Sequence, residues 1–504
     1  MAITRRRFLQ GAAFAGAASL VPLYLSRSAH GEYNYKPEDF IAPLAIPPEY
    51  HGRIENGKRV FDLILKHGES EFFSGYKTPT IGINANYLGM VLRVRRGDRV
   101  TFNVKNRLNQ TSTLHWHGVH LPAQMDGGPH QEIVAGATWQ PEFTIRQPAS
   151  TQWYHSHVHN YTGPQVYQGL AGLLYIDDEN SLNHDIPKSY GVDDIPLVIQ
   201  DRNFNRDGSF RYITNMHERM AGIHGGHILV NGVIRPKHVV SHKLTRLRIL
   251  NGSNARIYNL RFSDNRSFMQ IASDGGFLES PVSLTQLRLA PGERAEIIVE
   301  FDQNDDVMLE HEALPVSNFG AGMSMMSMMM SGGNQSFRIM RFTSKNLSVD
   351  SSTIPMKLAS IRRWEDSQAN VIRQFELDMS MGMGMMSGMR GKSGFTINNQ
   401  SFDINRIDEI VRLNDTEVWE FTNKSPMPHP MHIHDIQFLI LSRNGNFPDP
   451  NERGFKDTVL VNPNETVRLI TKFENYADQQ SPYMFHCHIL EHEDQGMMGQ
   501  FVVT

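Results

Sequence analysis

The chain has one cysteine, Cys487, in 504 residues, so no intrachain disulfide can brace it. It has little net charge, −4, and so lacks the basic footprint that nucleic-acid binding requires. It lacks the periodicity of a long amphipathic helix or a coiled coil. Its N-terminal uncharged run, Gly11 to Leu25, is 15 residues long and alanine-rich, short of the roughly 20 apolar residues of a membrane span. These absences exclude a disulfide scaffold, a nucleic-acid binder and, in the mature form, a stable membrane span. What is present is 40 glycines, 25 prolines and many short alternating stretches, the composition of an all-β protein. The length is too great for one core and implies two to four domains.

The N-terminus reads as a leader. Thr4-Arg5-Arg6-Arg7-Phe8-Leu9-Gln10 matches the twin-arginine export pattern, and Ser26-Arg27-Ser28-Ala29 offers small residues for cleavage after the uncharged run. Residues 1–29 are therefore set aside as a signal peptide. The partner they imply is the twin-arginine export machinery, and the expected location is the periplasm.

Beyond the leader the chain repeats itself. Val91 to Asn106 reads as strand, Gly-Asp turn, strand. A similar unit runs from Val411 to Asn423, and a weaker one from Thr245 to Asn251. The next strand signal carries a His-x-His pair in the first and last copies and no histidine in the middle one. Trp153 to His157 likewise parallels Met484 to His488, again with no counterpart in the middle unit. The expectation is three related β-sandwich domains, spanning 40–180, 190–345 and 370–504, with metal ligands kept in the first and third.

Four His-x-His pairs stand out: His115/His117, His155/His157, His432/His434 and His486/His488. On strands each pair projects to one face. One such pair arises easily by chance among 23 histidines; four, placed symmetrically in two repeated domains, point to metal. Eight imidazoles are too many for one ion. Cys487 falls between His486 and His488, so on a strand it points the opposite way. Its neighbours include His492, five residues on, and Met497, ten on; a further histidine is available between His429 and His434. Cys, two His and a distant Met are the parts of a blue-copper site.

These motifs, with His115-Trp116-His117-Gly118, His155-Ser156-His157 and His429-Pro430-Met431-His432-Ile433-His434, resemble those of the multicopper oxidases over nearly all of residues 45–504. The resemblance implies three cupredoxin-like Greek-key sandwiches and four copper ions. It implies a type 1 copper held by His429, Cys487, His492 and Met497. It gives a type 2 copper to His115 and His432, and a type 3 pair to His117, His155, His157, His434, His486 and His488. Every ligand position is filled, which argues against the metal-free members of this fold. Electrons would leave the type 1 site through Cys487 and its covalent neighbours, and dioxygen would be reduced to water. The family also places carboxylates near the cluster. Asp126, in Met125-Asp126-Gly127-Gly128, and Glu493 are the matching candidates. Asp126 also fits a turn former, and Glu493 a solvated charge.

The electron donor is less determined. Six methionines fall in 323–330 and six in 379–389. Thioethers select Cu(I), and copper efflux oxidases carry Met-rich segments near the type 1 site. This favours Cu(I) as donor, in copper tolerance, with Asp378, Met379, Met381 and Asp403 as candidate substrate-copper ligands. A laccase-like oxidase of phenols or other small organic reductants shares all the remaining chemistry. A non-catalytic periplasmic copper-binding or cell-division scaffold is the reading from another class.

Overall fold

A computed structural model describes residues 35–313, 335–348, 351–379 and 394–504. The leader, the methionine run 323–330 and all of the run 379–389 except Met379 lie outside the described residues.

Strands dominate, and the helices are short. The cause is visible in Arg99–Asn106, where Val100, Phe102 and Val104 are buried and alternate with more exposed Arg99, Thr101 and Asn103. Among the described residues, six sheets enclose three large apolar cores. The first contains Phe61, Phe102 and Trp116, the second Leu197, Ile249 and Phe342, the third Phe375, Trp419 and Phe485. The architecture is all-β: cupredoxin-like Greek-key sandwiches in succession.

In the first sandwich, one sheet runs in the order Glu49–Tyr50, Val91–Arg95, Ala171–Asp177, β2 and β1, where β1 is His115–His117 and β2 is Ser150–His155. β1 and β2 are antiparallel, with His115 opposite His155. A short helix, α1 (Thr162–Gln168), follows β2.

The middle sandwich has Tyr258–Phe262 where the others carry histidine strands. It contributes by approach. The backbone at Gly292 has φ +84, and a Cβ there would lie 2.9 Å from the His488 ring; only glycine allows both the conformation and the contact. A six-residue helix, α2 (Met216–Ala221), is N-capped by Asn215, whose side chain accepts from the Glu218 amide at 2.9 Å. It stops at Gly222, φ +77, where a Cβ would lie 2.9 Å from Ile489 Cγ2.

The third sandwich repeats the site-bearing sheet. Its order is Glu409–Val411, Met498–Val503, β4, β3 and Thr458–Val461, with β3 His429–Ile433 and β4 Asp478–Cys487. His432 stands opposite His486, and Met431 opposite Cys487. Directly opposed residues share a face, so register brings paired imidazoles together in both terminal sandwiches. The helix α3 (Leu490–Glu493) follows β4.

One expectation needs amendment. Only His115/His117 lies wholly within a strand. β2 ends at His155, β3 at Ile433 and β4 at Cys487, so His157, His434 and His488 each fall just past a strand end. Leaving the sheet lets the second ring of a pair reach a different set of partners from the first.

Candidate metal centre

Two sites lie back to back across β4. On one face, Cys487 Sγ is 3.4 Å from His429 Nδ1 and 3.6 Å from His492 Nδ1. All three residues are fully buried. Met497 is also fully buried in the apolar cluster that holds Cys487, and its backbone carbonyl accepts from the Cys487 amide at 3.0 Å. The outer nitrogens of the two histidines are fixed. Ser425 Oγ lies 2.7 Å from His429 Nε2, and His492 Nε2 donates to the Met220 carbonyl of α2 at 3.0 Å. The Phe395 ring stacks on His492 with centroids 4.1 Å apart. Burial pushes the Cys487 thiol well above its usual range and pulls His492 down to about 3. A neutral imidazole keeps the lone pair a metal needs.

On the other face, eight imidazoles meet where the first and third sandwiches touch. Their nitrogens form overlapping triads: His115, His117 and His432; His117, His155 and His488; His157, His434 and His486. Each triad draws on both sandwiches, so neither domain contains a complete site. In the last triad, His486 Nε2 is 3.1 Å from His157 Nε2 and 3.2 Å from His434 Nε2. His155 Nε2 is 3.4 Å from His117 Nδ1. All eight rings are buried. Burial, followed by mutual repulsion, holds His117, His157 and His432 well below the usual imidazole range. Burial brings His486 to about 3.

These donors fit copper. His115 Nε2, His432 Nε2 and both ring nitrogens of His488 are buried with no hydrogen-bond partner among the described residues. Each buried unsatisfied nitrogen costs about 1–3 kcal/mol, a cost that metal coordination removes. Imidazole donors in one site, and thiolate, imidazole and thioether in the other, are the ligand types copper takes.

Buried carboxylates back the rings. Asp126 Oδ2 accepts from His434 Nδ1 at 2.7 Å, Oδ1 is 3.4 Å from His115 Nδ1, and the Asp126 carbonyl is 3.0 Å from the same Nδ1. Glu493 stands beside two rings of one triad, with Oε1 3.3 Å from His157 Nδ1 and Oε2 3.2 Å from His486 Nδ1. Both acids are almost fully buried, which overturns the solvated-charge reading of Glu493. Burial, then the neighbouring Asp494, pushes the Glu493 carboxyl well above its usual range.

A third acid had no signal in the sequence. Asp457 Oδ1 is 3.0 Å from His117 Nε2, and its carbonyl is 2.8 Å from His432 Nδ1. Arg294, from the middle sandwich, grips Asp457 with two parallel hydrogen bonds of 2.7 and 2.6 Å. It also donates to the Thr151 carbonyl of β2 at 3.0 Å and to the Gln152 side chain. One fully buried guanidinium thus ties all three sandwiches together behind the cluster.

Three of the four candidate substrate-copper residues, Asp378, Met379 and Asp403, fall among the described residues. Met379 is buried and pairs with Phe395 in the ladder, while Asp378 accepts from the Met379 amide at 2.7 Å. Asp403 lies on an exposed turn and accepts from the Asn405 amide at 3.0 Å. Met381 lies outside the described residues.

Comparisons with known proteins agree with this geometry. Sequence profiles described as multicopper oxidase match residues 65–181, 176–310 and 374–504. The multicopper oxidase mco of Staphylococcus aureus is 37% identical over 466 residues, covering 92% of each chain. The cell division protein FtsP of Escherichia coli (strain K12) is 34% identical over 506 residues, covering 100% of this chain and 99% of FtsP. The structure of CueO, a laccase-like multi-copper oxidase from the lignin-degrading bacterium Ochrobactrum sp., superposes with a TM-score of 0.81 at 37% identity, over 92% of this chain and 100% of that one.

Proposed function

The chain belongs to the multicopper oxidase family, and on that premise we propose that it couples one-electron oxidation of Cu(I) to four-electron reduction of dioxygen to water. In this reading four coppers are resident. Cys487, His429, His492 and Met497 hold one. His115 and His432 hold a second. The triads His117/His155/His488 and His157/His434/His486 hold the remaining two. Bound there, copper supplies one-electron acceptance at the thiolate and dioxygen reduction at the cluster.

The side chains supply the rest. Cys487 is bonded through the backbone to His486 and His488, which belong to different triads, so one tripeptide wires the thiolate to both. Asp126 and Asp457 orient rings by holding the nitrogens turned away from the cluster. Glu493, whose carboxyl burial pushes upward, stands beside His157 and His486, where it is placed to pass protons.

The observation carrying the Cu(I) reading is the anchoring of the second methionine run. Its first residue, Met379, pairs with Phe395, and Phe395 stacks on His492. Met379 and Phe395, the described residues on either side of the run, are therefore ladder partners, and Phe395 covers His492. Export by the twin-arginine route to the periplasm fits the leader. Among the described residues no helix is long and apolar enough to cross a membrane.

The test is deletion of 380–389, which spares the buried Met379. Oxygen uptake with Cu(I) at low free concentration should fall sharply while the four resident coppers stay. Unchanged Cu(I) turnover together with reduced phenol turnover would transfer the proposal to a laccase-like oxidase, a reading that the Ochrobactrum relative favours. A protein that consumes no oxygen with either donor would instead fit a non-catalytic copper-binding or cell-division scaffold, cell division being the role in FtsP's name.

A further inference from the structure

We propose that α2 carries a Cu(I)-binding subsite, formed by Met216, His217 and Met220, through which substrate electrons enter at His492. This rests on the Cu(I) reading above and places its substrate. The helix belongs to the middle sandwich, which supplies none of the resident ligands, and it lies outside both methionine runs.

Three observations converge. First, among the described residues, the one hydrogen bond that the His492 ring makes away from Cys487 goes to the backbone of this helix, from Nε2 to the Met220 carbonyl at 3.0 Å. The imidazole edge remote from Cys487 therefore ends on Met220, and a donor held by that residue is one hydrogen bond away from a thiolate-site ligand. Second, the three residues are suitably spaced and partly exposed. Met216 is 56% exposed, and His217 is exposed. Met220 is half-buried against the apolar cluster around Cys487. In a helix, residues three and four apart are neighbours, so His217 and Met216 both flank Met220. Two thioethers and an imidazole form a soft donor set suited to Cu(I). Third, the helix is held down. Gln495 donates to the Arg219 carbonyl at 2.8 Å, Ala221 is buried in the third core, and Gly222 permits close approach to Ile489. The nearest acid on the helix, Glu218, is occupied by Arg211 at 2.7 Å and by Thr214, leaving the soft ligands as the available ones.

The step is an outer-sphere electron transfer. Four Cu(I) ions each lose one electron and leave as Cu(II). The four electrons, with four protons from solvent, convert one dioxygen to two waters, and no other co-reactant is required.

The test compares wild type with Met216→Leu and with Met216→Leu/Met220→Leu, all loaded with resident copper. The first readout is the ratio of kcat/KM for Cu(I) to that for a hydroquinone. It should fall at least fivefold in the double variant through a higher KM for Cu(I), and by less in the exposed single variant. The second readout is binding of Ag(I), a non-oxidisable stand-in for Cu(I), in competition with a chromogenic chelator; the double variant should bind about one equivalent fewer. An unchanged ratio and an unchanged Ag(I) stoichiometry would overturn the subsite while leaving Cu(I) oxidation intact. A wild-type enzyme that oxidises hydroquinone but not Cu(I) would overturn the underlying reading instead.

Discussion

The two candidate metal centres lie on opposite faces of β4, and the groups holding their histidines differ. Around the imidazole cluster, three buried acids and a buried arginine stand behind the rings. Around Cys487, the outer nitrogens of the histidines meet a hydroxyl and a backbone carbonyl, and Phe395, Met427, Met431, Met497 and Ile489 share its apolar cluster. The difference suits the work proposed for each. A site that reduces dioxygen must take up protons and balance changing charge, which calls for ionisable groups. A site that passes single electrons needs only a shape that does not change, and an apolar shell that tunes its potential.

The largest effect that can separate the two comes from Cys487→Ser. The visible charge-transfer band and oxygen turnover should both vanish, while the imidazole cluster, on the other face, still takes up copper. Retention of either signal at wild-type strength would remove Cys487 from its place in the comparison.

Arg294→Met should do the converse. It leaves Asp457 buried without its partner, a change that costs about 3–5 kcal/mol in stability. The expected outcome is a lower Tm and a loss of type 2 copper signal by electron paramagnetic resonance, with the blue band kept. Loss of the blue band in equal measure would mean that Arg294 supports the whole molecule and not the cluster in particular.

Asp126→Asn should slow reoxidation by dioxygen by about 10–100-fold and leave reduction of the thiolate site nearly unchanged. Stopped-flow traces of the two half-reactions decide it; equal slowing of both would make Asp126 a general structural support. The smallest effect is expected from Met497→Leu. Copper should stay bound, and the potential should rise modestly because a weak axial donor to the oxidised ion is lost. A redox titration showing a fall would argue against Met497 as the axial group.

Legibility from sequence followed the range of the interaction. The all-β class was readable from strand alternation such as Val100, Phe102 and Val104. The histidine pairs and Cys487 were readable because their spacing is local. Their partition was not: His155 and His157 share a motif but enter different triads, because β2 ends between them. Asp403, a candidate by motif, is exposed and accepts from the Asn405 amide, a local bond that the sequence did not announce. The Arg294–Asp457 pair and Met220 carried no local signal, since an ordinary Arg, Asp or Met gains meaning only from what it is packed against.

The sequence by itself determined the ligand types, their spacing and the alternation that makes the sheets, all matters of covalent neighbours and strand period. The tertiary structure decided which rings meet in a triad, which acid backs which ring, and that a helix of the middle sandwich reaches His492. His117 and Asp457 are 340 residues apart, and so are brought to 3.0 Å only by the packing of one sandwich on another.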